Sequence, residues 1–186
     1  MRFSTAALLL LFVGRSAQGL DFTPQFTEIN ADGIPTKAMY FADGEKRVFI
    51  TPPAGWTCTG GAASALLRNE ATARATVVLT LSSVPIFPTD AAKQKAAAEA
   101  VLALAPKGAE RVALEGETPN PIAINGWTSH QLRIGYDVLE TRMQKSVTLI
   151  KLNNREELQV IVTAPEKDFR LASSAATWCL NSWHKK

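Results

Sequence analysis

The chain has 186 residues, with 20 lysines and arginines against 17 acidic residues. Two of the arginines and none of the acids fall within the first 19 residues, so the remaining chain, with 18 basic and 17 acidic side chains, is nearly neutral. These charges are dispersed, which argues against nucleic acid or an anionic membrane surface as a partner. The remaining length of about 167 residues is ordinary for one domain.

The N-terminus is typical of a secretory signal peptide. Met1 and Arg2 form a short positive segment, and the apolar run over 6–13 is too short to cross a bilayer as a helix. Ala17-Gln18-Gly19 provides the small residues that a signal peptidase requires, so we expect cleavage before Leu20. The sequence therefore predicts a signal peptide over 1–19, a periplasmic or secreted location, and no transmembrane segment after cleavage.

The first half of the mature chain is predicted to be mainly extended. Residues 20–37 show little apolar periodicity and are predicted to be an irregular lead-in to a single domain over 38–186. Asp43-Gly44 is a turn signal between two of the strands, and Pro52-Pro53 ends the second of them. Strands are predicted at 38–41, 46–51, 56–59, 64–68 and 76–82.

A helix is predicted over 91–104, with Thr89 or Asp90 as its N-cap and Ala97, Val101 and Leu104 on its inward side. The second half returns to strands, with a hairpin turn at Asn125-Gly126. These strands are predicted at 111–115, 122–124, 127–136, 140–152 and 157–163. A closing helix from Pro165 carries an inward stripe formed by Phe169, Ala172, Ala176, Cys179 and Trp183.

These elements predict the α+β class: a twisted antiparallel sheet of about six or seven strands flanked by helices, in a single domain. The segment Tyr40-Phe41 and the run over 48–56 (VFITPPAGW) resemble the opening of PsbP-like domains, where an extended segment meets a proline and a Gly-Trp corner. The later order agrees, with a mid-chain helix, the Gly-centred hairpin over 124–127, long strands and a C-terminal helix ending near Ser182.

This resemblance to the PsbP-like superfamily covers most of the mature chain. It implies an α/β/α sandwich that acts as a non-catalytic accessory, assembly or binding module. Members of the superfamily do different jobs, so the resemblance carries no functional residue over to this sequence.

The sequence contains few candidate catalytic or metal-binding residues. His130 and His184 are the two histidines, and neither lies in a spacing typical of a metal site. Ser129 precedes His130 in a predicted strand, where adjacent side chains point to opposite faces and cannot act as nucleophile and base. The loop over 60–64 lacks the ending of a phosphate-binding loop. We therefore predict no catalytic residue, no cofactor and no metal site.

Several conspicuous side chains are interpreted as structural. The acidic residues near predicted turns, Asp137, Glu140, Glu156 and Glu157, are interpreted as solvated loop charges. Trp56, Trp178 and Trp183 are interpreted as packing residues, although tryptophans can also form a sugar or lipid site. A small ligand is therefore not excluded.

The second face of the predicted strands is a candidate interaction face. Its residues are polar or β-branched, with isolated apolar positions. It lies either under the lead-in or open to a partner, another envelope or secreted protein. The residues assigned to this face are Thr80, Gln131, Arg133, Thr148, Ile150, Gln159 and Ile161.

The two cysteines predict a Cys58–Cys179 disulfide, because exported chains meet an oxidising compartment and the count fits one bridge. The alternative is two buried free thiols. For function, the sequence favours an exported non-catalytic binding or assembly module. The second hypothesis is a small exported hydrolase whose site is assembled from residues distant in sequence.

Overall fold

The computed structural model describes residues 19–82, 85–122, 126–152 and 156–186. Residues 1–18 of the predicted signal peptide, residues 123–124 of a predicted strand and Asn125 of the predicted hairpin turn lie outside these residues. Within them the first half of the chain contains β1 (Leu20–Ala31), β2 (Ile34–Asp43), β3 (Lys46–Ile50), β4 (Trp56–Gly61), β5 (Ser64–Asn69), β6 (Thr76–Ser82) and α1 (Ala91–Leu102). The second half contains β7 (Glu110–Pro119), β8 (Thr128–Val138), β9 (Thr141–Lys151), β10 (Glu157–Pro165), α2 (Glu166–Asn181) and β11 (His184–Lys185).

The strands form two sheets in which every pairing is antiparallel. The larger sheet has seven strands in the order β4-β5-β6-β10-β9-β8-β7, and the smaller one has the order β1-β2-β3-β11. The α+β class and the seven-stranded antiparallel sheet are therefore as predicted. The smaller sheet is a further layer that the sequence patterns do not predict.

The irregular lead-in predicted for 20–37 is wrong, because this segment forms β1 and the first four residues of β2. The two strands pair from Leu20↔Asp43 to Ala31↔Ile34 around a tight turn. Asp32 and Gly33 both have positive φ, at 52° and 85°. This is the backbone that the Asp-Gly pair favours in a two-residue hairpin. The turn signal is present in the sequence, but the strands beside it lack regular alternation.

β1 also lies against β4, where Gly60 allows two backbones to approach. A Cβ built on Gly60 would lie 2.3 Å from the carbonyl oxygen of Phe22 and 2.9 Å from that of Ser64. Phe22 is fully buried and its ring lies edge-on to Phe41, with centroids 5.3 Å apart. The β1–β4 contact therefore joins the smaller sheet to the larger one.

Each face of the larger sheet is covered over a different half. On the α2 face, Leu79, Val160 and Val162 of β6 and β10 pack in one buried cluster with Phe169 and Ala172 of α2. The smaller sheet packs into the same cluster. On the opposite α1 face, a second cluster joins β8 and β9 to α1 through Leu132, Ile134, Val147, Leu149, Ala97 and Val101. The chain is thus a sandwich with one helix on each side.

α1 begins at one of its two predicted N-caps and ends earlier than predicted. Asp90 is the N-cap of α1, and its Oδ1 accepts a 2.9 Å hydrogen bond from the Lys93 amide. Leu104 lies beyond the helix and is 41% exposed, so its predicted inward position is wrong. In α2 the predicted stripe is buried, and Trp183 is buried just after the helix ends at Asn181.

β7 forms one edge of the larger sheet and is irregular. Its pairing with β8 shifts register twice, between Glu110 and Ala113 and between Leu114 and Gly116. Most of its residues are exposed. These bulges bend the edge strand away from a flat ladder.

Candidate functional site

An open groove runs along α2 on the part of the α2 face that the helix does not cover. One wall is α2, the floor is formed by β8, β9 and β10, and the segment at Pro121 and Ile122 borders one end. The groove has a volume of ≈ 470 Å³, within the range typical of ligand sites. In this part of the sheet the apolar residues of β8 and β9 point to the α1 face. Their polar residues therefore point to the α2 face and line the groove.

The floor of the groove is polar and partly unsatisfied. Gln131 Nε2 donates a 2.9 Å hydrogen bond to Thr148 Oγ1, which fixes both side chains. Ser146 is 1% exposed, lines the groove, and its Oγ has no hydrogen-bond partner in the described part of the chain. A buried hydroxyl without a partner costs about 1–3 kcal/mol. Such a group is unusual in a folded protein, and an external donor or acceptor, whether an ordered water or a ligand, would satisfy it.

The walls of the groove carry charges that lack partners. Arg133 of β8 and Arg170 of α2 are exposed, line the groove from opposite sides and form no ion pair with any carboxylate in the described residues. Arg133 extends past Gly116, where a side-chain Cβ would lie 3.4 Å from the Nη2 of the arginine. Glu166 lines the same groove, in the first turn of α2. The groove therefore has two cations and one anion.

An ion network adjoins the groove on the α2 face. Arg142 pairs with Glu115 and, at 3.3 Å, with Asp137, while Arg111 also pairs with Asp137. The hydrogen bond to Glu115 is the main cause that raises the pKa of Arg142. Gln144 Nε2 donates to Glu115 at 3.2 Å and links this network to the groove lining. Asp137 is buried, so its interpretation as a solvated loop charge is wrong.

The predicted interaction face is divided by the strand register. Gln131 pairs with Thr148, and Thr148 with Val160, so Gln131, Arg133, Thr148 and Ile150 lie on the α2 face. Gln159 pairs with Thr80 and Leu149, which places Thr80, Gln159 and Ile161 on the α1 face. The prediction of one shared face is therefore wrong. Gln131, Arg133 and Thr148 line the groove, whereas Ile150 is buried in the core beside it.

Arg170 and Gln144 line the groove but are not among the residues that the sequence predicts for an interaction face. The signal for Arg170 is present, since Glu166, Arg170, Ser173 and Thr177 form a polar stripe along α2 at helical spacing. This stripe lies next to the apolar one that the sequence predicts. Only the packing of the helix shows that it borders a groove.

His130 lies on the α1 face, and Ser129 lies on the other face, as predicted from strand alternation. His130 Nε2 is 2.6 Å from Glu117 Oε1, which also accepts a hydrogen bond from Gln94 Nε2. Ser129 Oγ instead bonds to the backbone of Ile122. In the described residues no hydroxyl or thiol is hydrogen-bonded to His130, and no group of three or more potential metal ligands occurs.

The interpretation of Glu157 as a solvated loop charge is also wrong. It is fully buried at the start of β10, and its Oε2 has no hydrogen-bond partner within the described chain. Its Oε1 accepts from Gln159 Nε2 at 2.9 Å. Desolvation is the main cause that raises its pKa, opposed by hydrogen bonds from Gln159 and from the amides of Ile86 and Phe87.

The raised pKa of Glu157 predicts a pH-dependent stability. Between the ordinary value of 4.5 and the raised value, the folded state binds more protons than the unfolded state. Stability therefore falls as the pH rises through this window. We expect Glu157→Gln to stabilise the protein at pH 7 by about 1 kcal/mol and to have little effect below pH ~4. Chemical denaturation across this range measures both, with the exposed Glu140→Gln as control. Equal effects of Glu157→Gln at both pH values would contradict the prediction.

The two cysteines approach each other without a bond. Cys179 is buried in the α2 cluster, and the partly buried Cys58 of β4 packs against that cluster. Burial raises the pKa of Cys58 to about 11, and burial together with the nearby Cys58 raises the pKa of Cys179 to about 12. The structure contains both as free thiols, so the predicted disulfide is not present in it.

Comparison with known proteins supports the fold. No protein-family model and no curated protein matches the sequence. Among solved structures, the chain is similar to LpqN, involved in cell envelope biogenesis of Mycobacterium tuberculosis, with 13% identity and a TM-score of 0.50 over 88% of this chain and 91% of that one.

The chain and LpqN share a fold.

Two other solved structures are similar. Cyanobacterial PsbP from Synechocystis sp. PCC 6803 has 13% identity and a TM-score of 0.43, covering 88% of this chain and 92% of that one. The Ran-binding protein Mog1p of Saccharomyces cerevisiae has 11% identity and a TM-score of 0.47, covering 87% and 96%. At 13% identity the fold is what the chain shares with LpqN, and the groove residues have to be interpreted from the chain's own structure. None of the described helices is long and apolar enough to cross a bilayer.

Proposed function

We propose that the mature chain is an exported, non-catalytic binding module that docks a protein partner in the groove beside α2. The observation that supports this most strongly is the groove itself, whose floor holds the unpartnered Ser146 hydroxyl and whose walls hold Arg133 and Arg170 without ion pairs to the described carboxylates. The buried Ser146 hydroxyl, left without a partner, is costly to the free protein, whereas the exposed arginines are hydrated. A partner that bonds to Ser146 removes this cost, and one that carries carboxylates can pair with the arginines.

Export is part of the proposal. It rests on the sequence pattern over 1–19, and a location in the periplasm or outside the cell suits an accessory module that meets envelope proteins. Export also brings Cys58 and Cys179 into an oxidising compartment, where we propose that they form the disulfide. The similarity to LpqN, a protein involved in cell envelope biogenesis, is consistent with this setting.

Site-specific crosslinking tests the docking site. The mature chain is expressed in its native envelope with a photo-reactive residue in place of Gln144, which lines the groove, or in place of Glu99, which lies on exposed α1. We expect a discrete protein adduct from position 144 and none from position 99. The same adduct from both positions, or adducts from neither, would contradict the proposal.

The hydrolase hypothesis draws on one observation, the His130–Glu117 pair. This pair lies on the α1 face, away from the groove, which gives the crosslinking experiment a second control. We expect His130→Ala to keep the adduct at position 144. If His130→Ala folds normally and removes a biological function that the position-144 partner does not account for, the hydrolase hypothesis is favoured instead.

A further inference from the structure

The charges of the groove point to the chemistry of its occupant, an inference that rests on the proposed function. We propose that the groove binds an acidic peptide segment of the partner, with carboxylates paired to Arg133 and Arg170 and a polar group of the segment bonded to Ser146. Arginine is suited to this role because its planar guanidinium can bond a carboxylate through two parallel N–H groups.

The two arginines are available for such a ligand. Arg133 stands on β8 and Arg170 on α2, on either side of the floor. The neighbouring Arg142 and Arg111 are instead neutralised by Glu115 and Asp137. Arg111 and Arg142 therefore have a structural role, whereas Arg133 and Arg170 at the groove have no carboxylate partner among the described residues.

Glu166 limits where the acidic segment can lie. It precedes Arg170 by one helical turn and is exposed, yet the two form no ion pair in the described structure. The positive part of the groove is therefore between Arg170 and Arg133, and the end at Glu166 repels a second carboxylate. A segment with acidic residues at one end fits this arrangement better than a uniformly acidic one.

The floor provides the second, independent indication of a ligand. Ser146 is buried, lines the groove and lacks a partner among the described residues, whereas Gln131 and Thr148 beside it satisfy each other. A hydroxyl can donate and accept, so Ser146 can bond to a peptide amide or to a carboxylate. The groove runs along α2 and is also lined by the apolar residues Ile122, Phe169 and Leu180, so it suits an extended segment with both polar and apolar groups.

Fluorescence anisotropy with labelled octapeptides of glutamate and of glutamine tests the proposal on the mature chain. We expect the glutamate peptide to bind measurably more tightly and to weaken with added salt. The double variant Arg133→Gln/Arg170→Gln should weaken its binding by about tenfold or more. The control Arg68→Gln/Lys107→Gln removes the same charge from exposed positions outside the groove and should change binding by less than about twofold.

Ser146→Ala separates a binding role from a structural one. It removes an unsatisfied buried hydroxyl, so the melting temperature should stay constant or rise, while affinity for the glutamate peptide falls about threefold or more. A lower melting temperature with unchanged affinity would overturn the assigned role of Ser146.

Three results would overturn the acidic-segment proposal. These are equal binding of the two peptides, full binding by the arginine double variant, and competition by free glutamate or citrate as effective as that of the peptide. The last would assign the groove to a small carboxylate. A protein adduct at position 144 together with any of these results would retain the docking function and reject only the acidic chemistry.

Discussion

Gly60→Ala should destabilise the domain by about 3 kcal/mol, at the upper end for an added group in a packed site. The new Cβ would lie 2.3 Å from the Phe22 carbonyl oxygen and 2.9 Å from that of Ser64. Both are backbone atoms, so the clash cannot be relieved by rotating a side chain. β1 has to separate from β4, which also loosens the buried Phe22 ring.

Gly61→Ala is the matched control, because it lies in the same strand and a Cβ there meets nothing within 4 Å. Urea denaturation of both variants, followed by tryptophan fluorescence, measures the difference. We expect Gly61→Ala to remain within about 1 kcal/mol of the unaltered protein. Equal stability of the two variants would show that β1 does not pack closely on β4.

Oxidation of Cys58 and Cys179 should stabilise the protein by about 2–4 kcal/mol relative to the reduced form. The bridge would join β4 to α2 across a long stretch of chain, and it would tie the helical wall of the groove to the sheet edge. Because the pKa of both thiols is raised, to about 11 and about 12, little thiolate is present at neutral pH. Spontaneous oxidation should therefore be slow, and the compartment's own oxidants are needed.

Intact-mass analysis under alkylation distinguishes the two states. Native protein should carry no alkylatable thiol before reduction and two after it, and the same spectrum gives the mature N-terminus, expected near Leu20. Thermal unfolding with and without reductant gives the stability change. Cys58→Ala should not respond to reductant. If the protein is isolated without reductant and then denatured, two alkylatable thiols would contradict the bridge. A retained Met1 would contradict export.

Local patterns in the sequence predict elements well where the determinant is local. β6 has the predicted bounds, Asp90 caps α1 as one of two candidates, and the predicted stripe of α2 is buried. These features depend on alternation, capping and helical spacing within one element. The Asp32-Gly33 turn is also local, and it could have been predicted.

The groove depends on information that no single strand contains. Alternation shows that Leu132 and Ile134 share one side of β8 and that Val160 and Val162 share one side of β10. It does not show that the pairing Val160↔Thr148↔Gln131 places these two apolar sets on opposite faces. For the same reason Glu157, which follows a predicted turn, is assigned to solvent from the sequence although the sheet buries it.

The two ends of the larger sheet also bear on how the protein behaves when concentrated. An open sheet exposes unpaired amide and carbonyl groups at each edge, and these can recruit a strand from another molecule. Here the β4 edge is approached by β1, and the β7 edge is bent by two bulges and carries the exposed charged residues Glu110 and Arg111. The approach of β1 blocks access to one edge, and the bulges give the other edge a curved, charged border. Both features oppose edge-to-edge pairing between the sheets of two molecules, which is the first contact in fibrillar aggregation.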